Sequence, residues 1–250
     1  MKELGQHNVE IHENSAAWQR KPLLRDIYDG FYRRIAAHLP PADLGPVVEI
    51  GSGMGNVKRV IPHCITTDLF PNAWLDRQEN AYALSFADRS IGAVILFDVF
   101  HHLRYPGTVL RELRRVLKVG GRVVLFEPDM SLLGRFVYGK FHHEPLALSD
   151  PITWEAPADF EPQNHGYYAA QGNACRIFVR GERPGSLDGW TIARVERHPD
   201  LSYVASGGFA GPQLYPRMLL PLARAMDFLA SPLPGIFSTR LLVVLEKNAN

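Results

Sequence analysis

Three glycines at alternate positions, Gly51, Gly53 and Gly55, follow the apolar run Val47–Ile50. A loop of that composition turns tightly and lets a ligand lie against bare backbone, with the start of a helix behind it. A dinucleotide fingerprint needs its third glycine at position 56, which is Asn56, and no Gly-Lys-Ser or Gly-Lys-Thr follows to make a nucleoside-triphosphate loop. Asp68 lies nineteen residues beyond Glu49, at the end of the next apolar run. A carboxylate in that place can accept both hydroxyl hydrogens of a ribose. Asp98 ends the run 91–97 with a further acid. The plainer alternatives are a simple strand-to-helix turn for the glycines, a turn residue before Pro71 for Asp68 and a helix cap for Asp98.

Two histidine groups could act on a second ligand. His101 and His102 follow the run 91–97, at the sheet edge where open α/β proteins hold ligands, and a neutral imidazole there can accept a proton near pH 7. His142, His143 and Glu144 cluster near Phe141, Trp154, His165, Tyr167 and Tyr168. Adjacent ligands outside a helix lack the i, i+4 geometry of a helical metal site, so no metal is expected. Together with Tyr28, Phe31 and Tyr32, these side chains read as a lid excluding water from reacting groups, or as ordinary core aromatics. Tyr28, Tyr32, His142, His143 and Tyr168 are the candidates for contact with a substrate.

The elements that must hold these residues can be read from periodicity. Strands are expected over 47–50, 64–68, 91–97 and 122–126, and again over 190–196 and 240–246. The first four lack a polar alternate and are separated by polar-faced helical stretches, the pattern of a parallel sheet covered on both faces. Val109, Leu110, Leu113, Val116 and Leu117 form one apolar stripe, and Gly120 with Gly121 should end that helix. Ser15 is a candidate N-cap, Pro22 restarts a helix, and Leu24, Ile27, Phe31 and Ile35 recur at helical spacing before Pro40 and Pro41. The stretch 214–237 is apolar, broken by prolines and edged by Arg217 and Arg224. Burial against the sheet is its expected fate; a bulky apolar acceptor site or contact with a membrane surface are the alternatives.

The 250 residues carry 27 Lys and Arg against 26 Asp and Glu, a formal charge of +1, which gives no bulk reason to expect nucleic acid as a partner. With 46% hydrophobic and 21% charged residues the chain can bury a continuous core. Cys64 and Cys175 are far apart, with no thiolate-zinc spacing, and the charged opening residues do not resemble a signal peptide. The expectation is a cytoplasmic protein.

VVEIGSGMG, ITTDLFP, NAYALSFADRSIGAVILFDVFHHL and LRELRRVLKVGGRVVLFEP occur in one order over about 44–129. In that order they resemble the class I S-adenosylmethionine-dependent methyltransferases. The resemblance implies a three-layer α/β sandwich with a mainly parallel, seven-stranded Rossmann-like sheet, a helical N-terminal cover (1–43) and a cofactor core (44–128). Acceptor-site additions, including an inserted lid, would occupy 129–188 and 200–236, and closing strands 189–199 and 237–250, all in one domain. It further implies that Gly51, Ser52, Gly53 and Gly55 lie along the cofactor, with Glu49 near its amino group. Asp68 would take the ribose, Leu69 would pack on adenine, Asn80 and Ala81 would reach the adenine edge, and Phe97 would belong to the same cofactor site. The family commonly has Asp where this chain has Asn80, and Leu-Pro-Phe where it has Leu84-Ser85-Phe86. The function implied is methyl transfer from S-adenosylmethionine to a small-molecule or lipid-like acceptor, at oxygen, with His101 or His102 as proton acceptor. A nicotinamide-dependent oxidoreductase and a non-catalytic cofactor-binding module are the rival readings.

Overall fold

The computed structural model describes residues 11, 13–164 and 167–249. Its centre is a seven-stranded sheet: β1 (Val47–Ile50), β2 (Ile65–Asp68), β3 (Arg77–Gln78), β4 (Ile91–Phe97), β5 (Leu117–Pro128), β6 (Trp190–His198) and β7 (Arg240–Lys247). The spatial order is β3-β2-β1-β4-β5-β7-β6. The first five strands run parallel, and β7 pairs antiparallel with both β5 and β6.

The strands are apolar on both sides because each side is roofed. Val48, Val94, Leu96, Val123, Leu125, Leu241 and Val243 face a layer holding α3 (Pro106–Val116) and α5 (Asn173–Phe178). The alternate residues Ile95, Phe97, Val124, Phe126, Leu242 and Val244 meet Leu24, Ile27, Phe31 and Ile35 of α2 (Pro22–Ala36). All seven residues of β4 are buried. At about 25 cal/mol per Å2 of apolar surface removed from water, such double-sided burial is the main term holding the central strands.

Four expectations from the sequence are corrected. Ser15 lies inside a helical stretch (α1, residues 13–20) rather than capping it. Between β1 and β2 the chain makes only a 3-10 turn, Asn56–Arg59, since just six residues separate Gly55, at φ 71°, from Pro62, whose ring disfavours helix before it, and between β2 and β4 it forms only β3 and turns, so neither crossover is the expected helix. Gly120 and Gly121 fall within β5, which begins at Leu117; the irregular pairing between Ile91 and Ala93 absorbs them, and Gly120 takes φ 75°.

The fourth correction concerns 214–237. It forms a 3-10 turn, then α7 (Leu220–Ala230) and α8 (Pro234–Phe237), after the short α6 (Leu201–Ala205). Leu222, Phe228 and Leu229 are 62%, 76% and 69% exposed, so the stretch covers the sheet only through Leu220 and a few neighbours. Its partner α4 (Leu132–Phe141) packs on α8 and is itself apolar outside, with Leu132, Phe136 and Phe141 exposed. Ser131 caps α4 by accepting from the Gly134 amide at 3.0 Å. No helix among the described residues is long and apolar enough to cross a membrane. Cys64 and Cys175 are free and buried.

Candidate functional site

The glycine loop leaves β1 at its carboxyl end and is stitched to β2. The Ser52 amide donates to the Thr67 carbonyl at 2.8 Å, and the Thr67 hydroxyl to the Glu49 carbonyl at 2.9 Å. Gly51 has φ 70°, and a Cβ on it would stand 2.4 Å from Val99 Cγ2, so the position needs glycine twice over. Gly53, at φ 52°, has open space where its side chain would be. Its amide donates to Asp68 Oδ2 at 3.0 Å, which brings the loop and the acid of β2 together as expected.

Glu49 is almost sealed off, with 1% exposure. Its Oε1 accepts from the Tyr32 hydroxyl at 2.9 Å, while Oε2, also buried, has no hydrogen-bond partner among the described residues. Burial pushes the carboxyl up to about 7 against the pull of its hydrogen bonds, and the charge of Asp68 adds to the rise. An unpartnered buried carboxylate oxygen near a second acid, with the open Gly53 backbone hydrogen-bonded to that acid, fits a ligand carrying an ammonium group and vicinal hydroxyls. A Cβ at Gly53 would project into the space such a ligand needs.

The remaining expected cofactor residues are placed unevenly. Gly55 makes the left-handed turn ahead of the 3-10 segment, and Leu69 is 39% exposed beside Asp68. Ala81 is buried. The Asn80 side chain is occupied: Nδ2 donates to the Pro162 carbonyl at 2.8 Å and Oδ1 accepts from the Tyr82 amide. Phe97 belongs to an aromatic cluster, with Tyr28 stacked on it at 5.3 Å and Tyr32 edge-on at 5.2 Å. Tyr28 is buried among rings and Tyr32 is spent on Glu49, so neither lies on an open acceptor surface.

At the carboxyl end of β4 a second set of charged groups converges. Asp98 takes φ 54°, a strained backbone for a side chain, and pairs with Arg240. The Arg240 guanidinium is buried, 4.7 Å from the centre of the Tyr203 ring and 5.7 Å from those of Phe31, Phe97 and Phe126. Glu127, fully buried in β5, accepts from the Val99 and Phe100 amides at 2.9 and 2.7 Å and meets His101 Nδ1 at 2.6 Å. His101 Nε2 lies 3.3 Å from Glu144 Oε2, and His102 Nε2 3.5 Å from Glu144 Oε1. His102 Nδ1 lies 2.9 Å from the Tyr168 carbonyl.

Burial alone would lower His101, but the Glu127 carboxylate outweighs it and Glu144 adds, carrying the ring up to about 10. His102 is held below its ordinary value by burial and by the charge of His101. Burial would raise Glu144, yet His101, His102 and the Tyr167 hydroxyl hold it far below the carboxylate range. His142 stacks on His143 at 4.9 Å and meets the Gln171 amide at 2.6 Å through Nδ1. His143 is exposed, the Tyr168 hydroxyl accepts from Asn173 at 3.2 Å, and His165 lies outside the described residues.

Sequence reasoning named Glu144 only beside its neighbours and passed over Glu127, Gln171 and Arg240. A carboxylate closing the apolar run VVLFEP was the available signal for Glu127, because a charge in a buried strand needs fixed donors. Nothing local could have linked Glu144 to His101 across the intervening insertion.

Residues 48–125 match the family described as methyltransferase domain. No curated protein matches the chain by sequence. Among solved structures, an S-adenosylmethionine-dependent methyltransferase of Thermotoga maritima superposes with a TM-score of 0.55 and 15% identity, over 96% of this chain and 99% of its own. Geranyl diphosphate C-methyltransferase of Streptomyces coelicolor gives 0.51 and 13%, over 87% and 75%. The segment from β1 to β5 thus resembles a methyltransferase domain, and the chain has the fold of the class I S-adenosylmethionine-dependent methyltransferases.

Proposed function

We propose that the protein transfers a methyl group from S-adenosylmethionine to a small-molecule or lipid-like acceptor, at an oxygen atom. The observation that carries this reading is the unpartnered Oε2 of Glu49, buried within electrostatic reach of Asp68, whose carboxylate in turn accepts from the Gly53 amide. Glu49 would hold the cofactor's ammonium group and Asp68 its ribose hydroxyls, with Gly51, Ser52 and Gly53 lying along its chain. When bound, the sulfonium supplies an electrophilic methyl group, and the positive charge on its sulfur vanishes on transfer. The residues near the sulfur need only be mildly anionic, because a tight counter-ion would favour the starting state. Asp98, neutralised by Arg240, meets that requirement.

His101 is a positioning residue in this reading. It is fixed between two carboxylates at the end of β4, while the less buried His102 would face the acceptor. The exposed apolar side chains of α4, α7 and α8 support a lipid-like acceptor. The exposed charges of α4 and α7 are Arg135, Lys140 and Arg224, all basic, and Asp227 of α7 is buried against Ser202. That combination suits docking on an anionic lipid surface. Geranyl diphosphate, the acceptor of the Streptomyces enzyme, is apolar and anionic in the same sense.

Isothermal titration with S-adenosylhomocysteine tests the core of the proposal. Saturable 1:1 binding, weakened more than tenfold in Asp68→Ala, is the expected result. A folded protein without affinity for this product or for S-adenosylmethionine overturns it, and binding of a nicotinamide cofactor instead would favour the oxidoreductase reading.

A further inference from the structure

We propose that His101, His102 and Glu144 form a binding site for a divalent transition-metal ion of the zinc type, beside the methyl-transfer site. The argument begins with the outer nitrogens. Glu127 takes both the Val99 and Phe100 amides on Oε1 and presents Oε2 to His101 Nδ1 at 2.6 Å, so that nitrogen carries a hydrogen. The Tyr168 carbonyl can only accept, so His102 Nδ1, 2.9 Å away, carries one too. With both rings neutral, the form in which they would bind an ion in place of a proton, both Nε2 atoms present lone pairs.

Those two lone pairs converge on an anion. Nε2 of His101 and Nε2 of His102 approach different oxygens of Glu144, at 3.3 and 3.5 Å, and the three ligand atoms lie within 4.8 Å of one another. Two lone pairs and a carboxylate repel unless something positive lies between them. One proton on His101 satisfies one contact and leaves the other unmade. Protonating both rings would put two cations with centroids 4.1 Å apart in a mostly buried site. A single divalent ion satisfies all three ligands at once.

The geometry agrees with such an ion. Metal–ligand bonds of about 2.0–2.1 Å give a tetrahedron edges of about 3.3–3.4 Å; each Nε2 stands near that distance from one Glu144 oxygen, 3.3 Å from Oε2 and 3.5 Å from Oε1, and a bound ion would draw one oxygen toward both nitrogens. Each imidazole already has the hydrogen-bonded outer nitrogen that metal-bound histidines require, one on a carboxylate and one on a carbonyl. Glu144 is oriented in turn by the Tyr167 hydroxyl at 2.5 Å and Gln171 Nε2 at 3.1 Å. Two nitrogens and one carboxylate leave a fourth position open, as in catalytic zinc sites. On the methyl-transfer reading above, that position would take the acceptor oxygen. Its proton would pass to water, its oxygen would bond to the methyl carbon, and the carbon–sulfur pair would stay on sulfur. The ion site itself does not depend on that reading.

The experiment is isothermal titration of zinc chloride into chelator-stripped, full-length protein, with X-ray absorption on the loaded sample. One high-affinity equivalent is expected, with nitrogen and oxygen neighbours at bonding distance and outer-shell imidazole scattering. Glu144→Gln and His102→Ala should each weaken binding at least a hundredfold, whereas His143→Ala, a surface control, should leave it unchanged. Asp68→Ala should also leave zinc affinity unchanged while weakening S-adenosylhomocysteine, which separates failure of this site from failure of the methyl-transfer reading. If Glu144→Gln does not fold, the partly exposed His102→Ala decides. Wild-type protein that takes up no stoichiometric zinc, or a folded His102→Ala that binds as tightly as wild type, overturns the proposal.

Discussion

The parallel half of the sheet and the additions around 129–188 and 200–236 bury their apolar residues by opposite logics. In β1, β4 and β5 most apolar side chains are covered by a helix on one face or the other, and the buried acids Glu127 and Glu49 accept from the Val99 and Phe100 amides and from the Tyr32 hydroxyl. In α4, α7 and α8 the apolar residues largely face outward and the charged Asp227 is turned in. The sheet spends its hydrophobicity on stability, whereas the additions keep theirs available for contact with something else. The comparison therefore predicts that substitutions in the first region change folding and those in the second change binding.

The largest effect should come from Glu127→Ala. It removes the acceptor of the Val99 and Phe100 amides and leaves His101 beside an empty space, and breaking a buried charged pair typically costs about 3–5 kcal/mol. Urea denaturation should show a loss of that size; a loss under 1 kcal/mol would break the contrast. Gly51→Ala comes next. Its positive φ and the clash with Val99 together should cost about 2–4 kcal/mol, whereas Gly53→Ala, with open space around it, should cost about 1 kcal/mol. The ranking of the two glycines, read from their urea midpoints, sharpens the claim that only Gly51 is a packing position.

A third prediction has the opposite sign. Glu49 titrates near 7 in the folded protein against an ordinary value of 4.5, so between those values the unfolded chain releases its proton first. Stability therefore falls as pH rises from about 4.5 to 7 and then levels off, with Glu49 contributing up to about 3 kcal/mol of the loss. Glu49→Gln removes that limb. The ligand-free variant should be more stable than wild type at pH 8 by about 1–3 kcal/mol, allowing for an unsatisfied amide, and no more stable at pH 4.5. The same change should weaken S-adenosylhomocysteine. Paired melts at the two pH values check the sign, and a variant less stable than wild type at pH 8 refutes it.

The two regions also differ in how far they could be read from sequence. The strands Val47–Ile50 and Ile91–Phe97 were delimited correctly because a doubly covered strand has little freedom except to be apolar. Asp68 and Gly53 were placed together because the strand-turn geometry that joins them is local and repeated. The additions obey no such constraint. Residues 214–229 have a buried-looking composition, and only their surroundings, absent from any sequence window, show that Met218, Phe228 and Leu229 face outward. Glu144 reaches His101 from over forty residues away, and Arg240 reaches Asp98 from 142 away. Such pairs are set by topology, not by spacing.

The smallest effect on folding should be the most telling for the additions. Replacing Leu222, Phe228 and Leu229 of α7 together by serine removes side chains that are already 62–76% exposed, so the urea midpoint should stay within about 0.5 kcal/mol of wild type. Affinity for S-adenosylhomocysteine should also be unchanged, since the helix lies outside the glycine loop and its acids. Co-sedimentation with vesicles containing phosphatidylserine should drop severalfold, and raising the salt should weaken the wild-type interaction through Arg135, Lys140 and Arg224. A triple variant that loses several kcal/mol would mean that α7 stabilises the fold as the sheet does. One that folds normally and sediments like wild type would separate the exposed surface from any lipid and direct the search for its occupant to another protein.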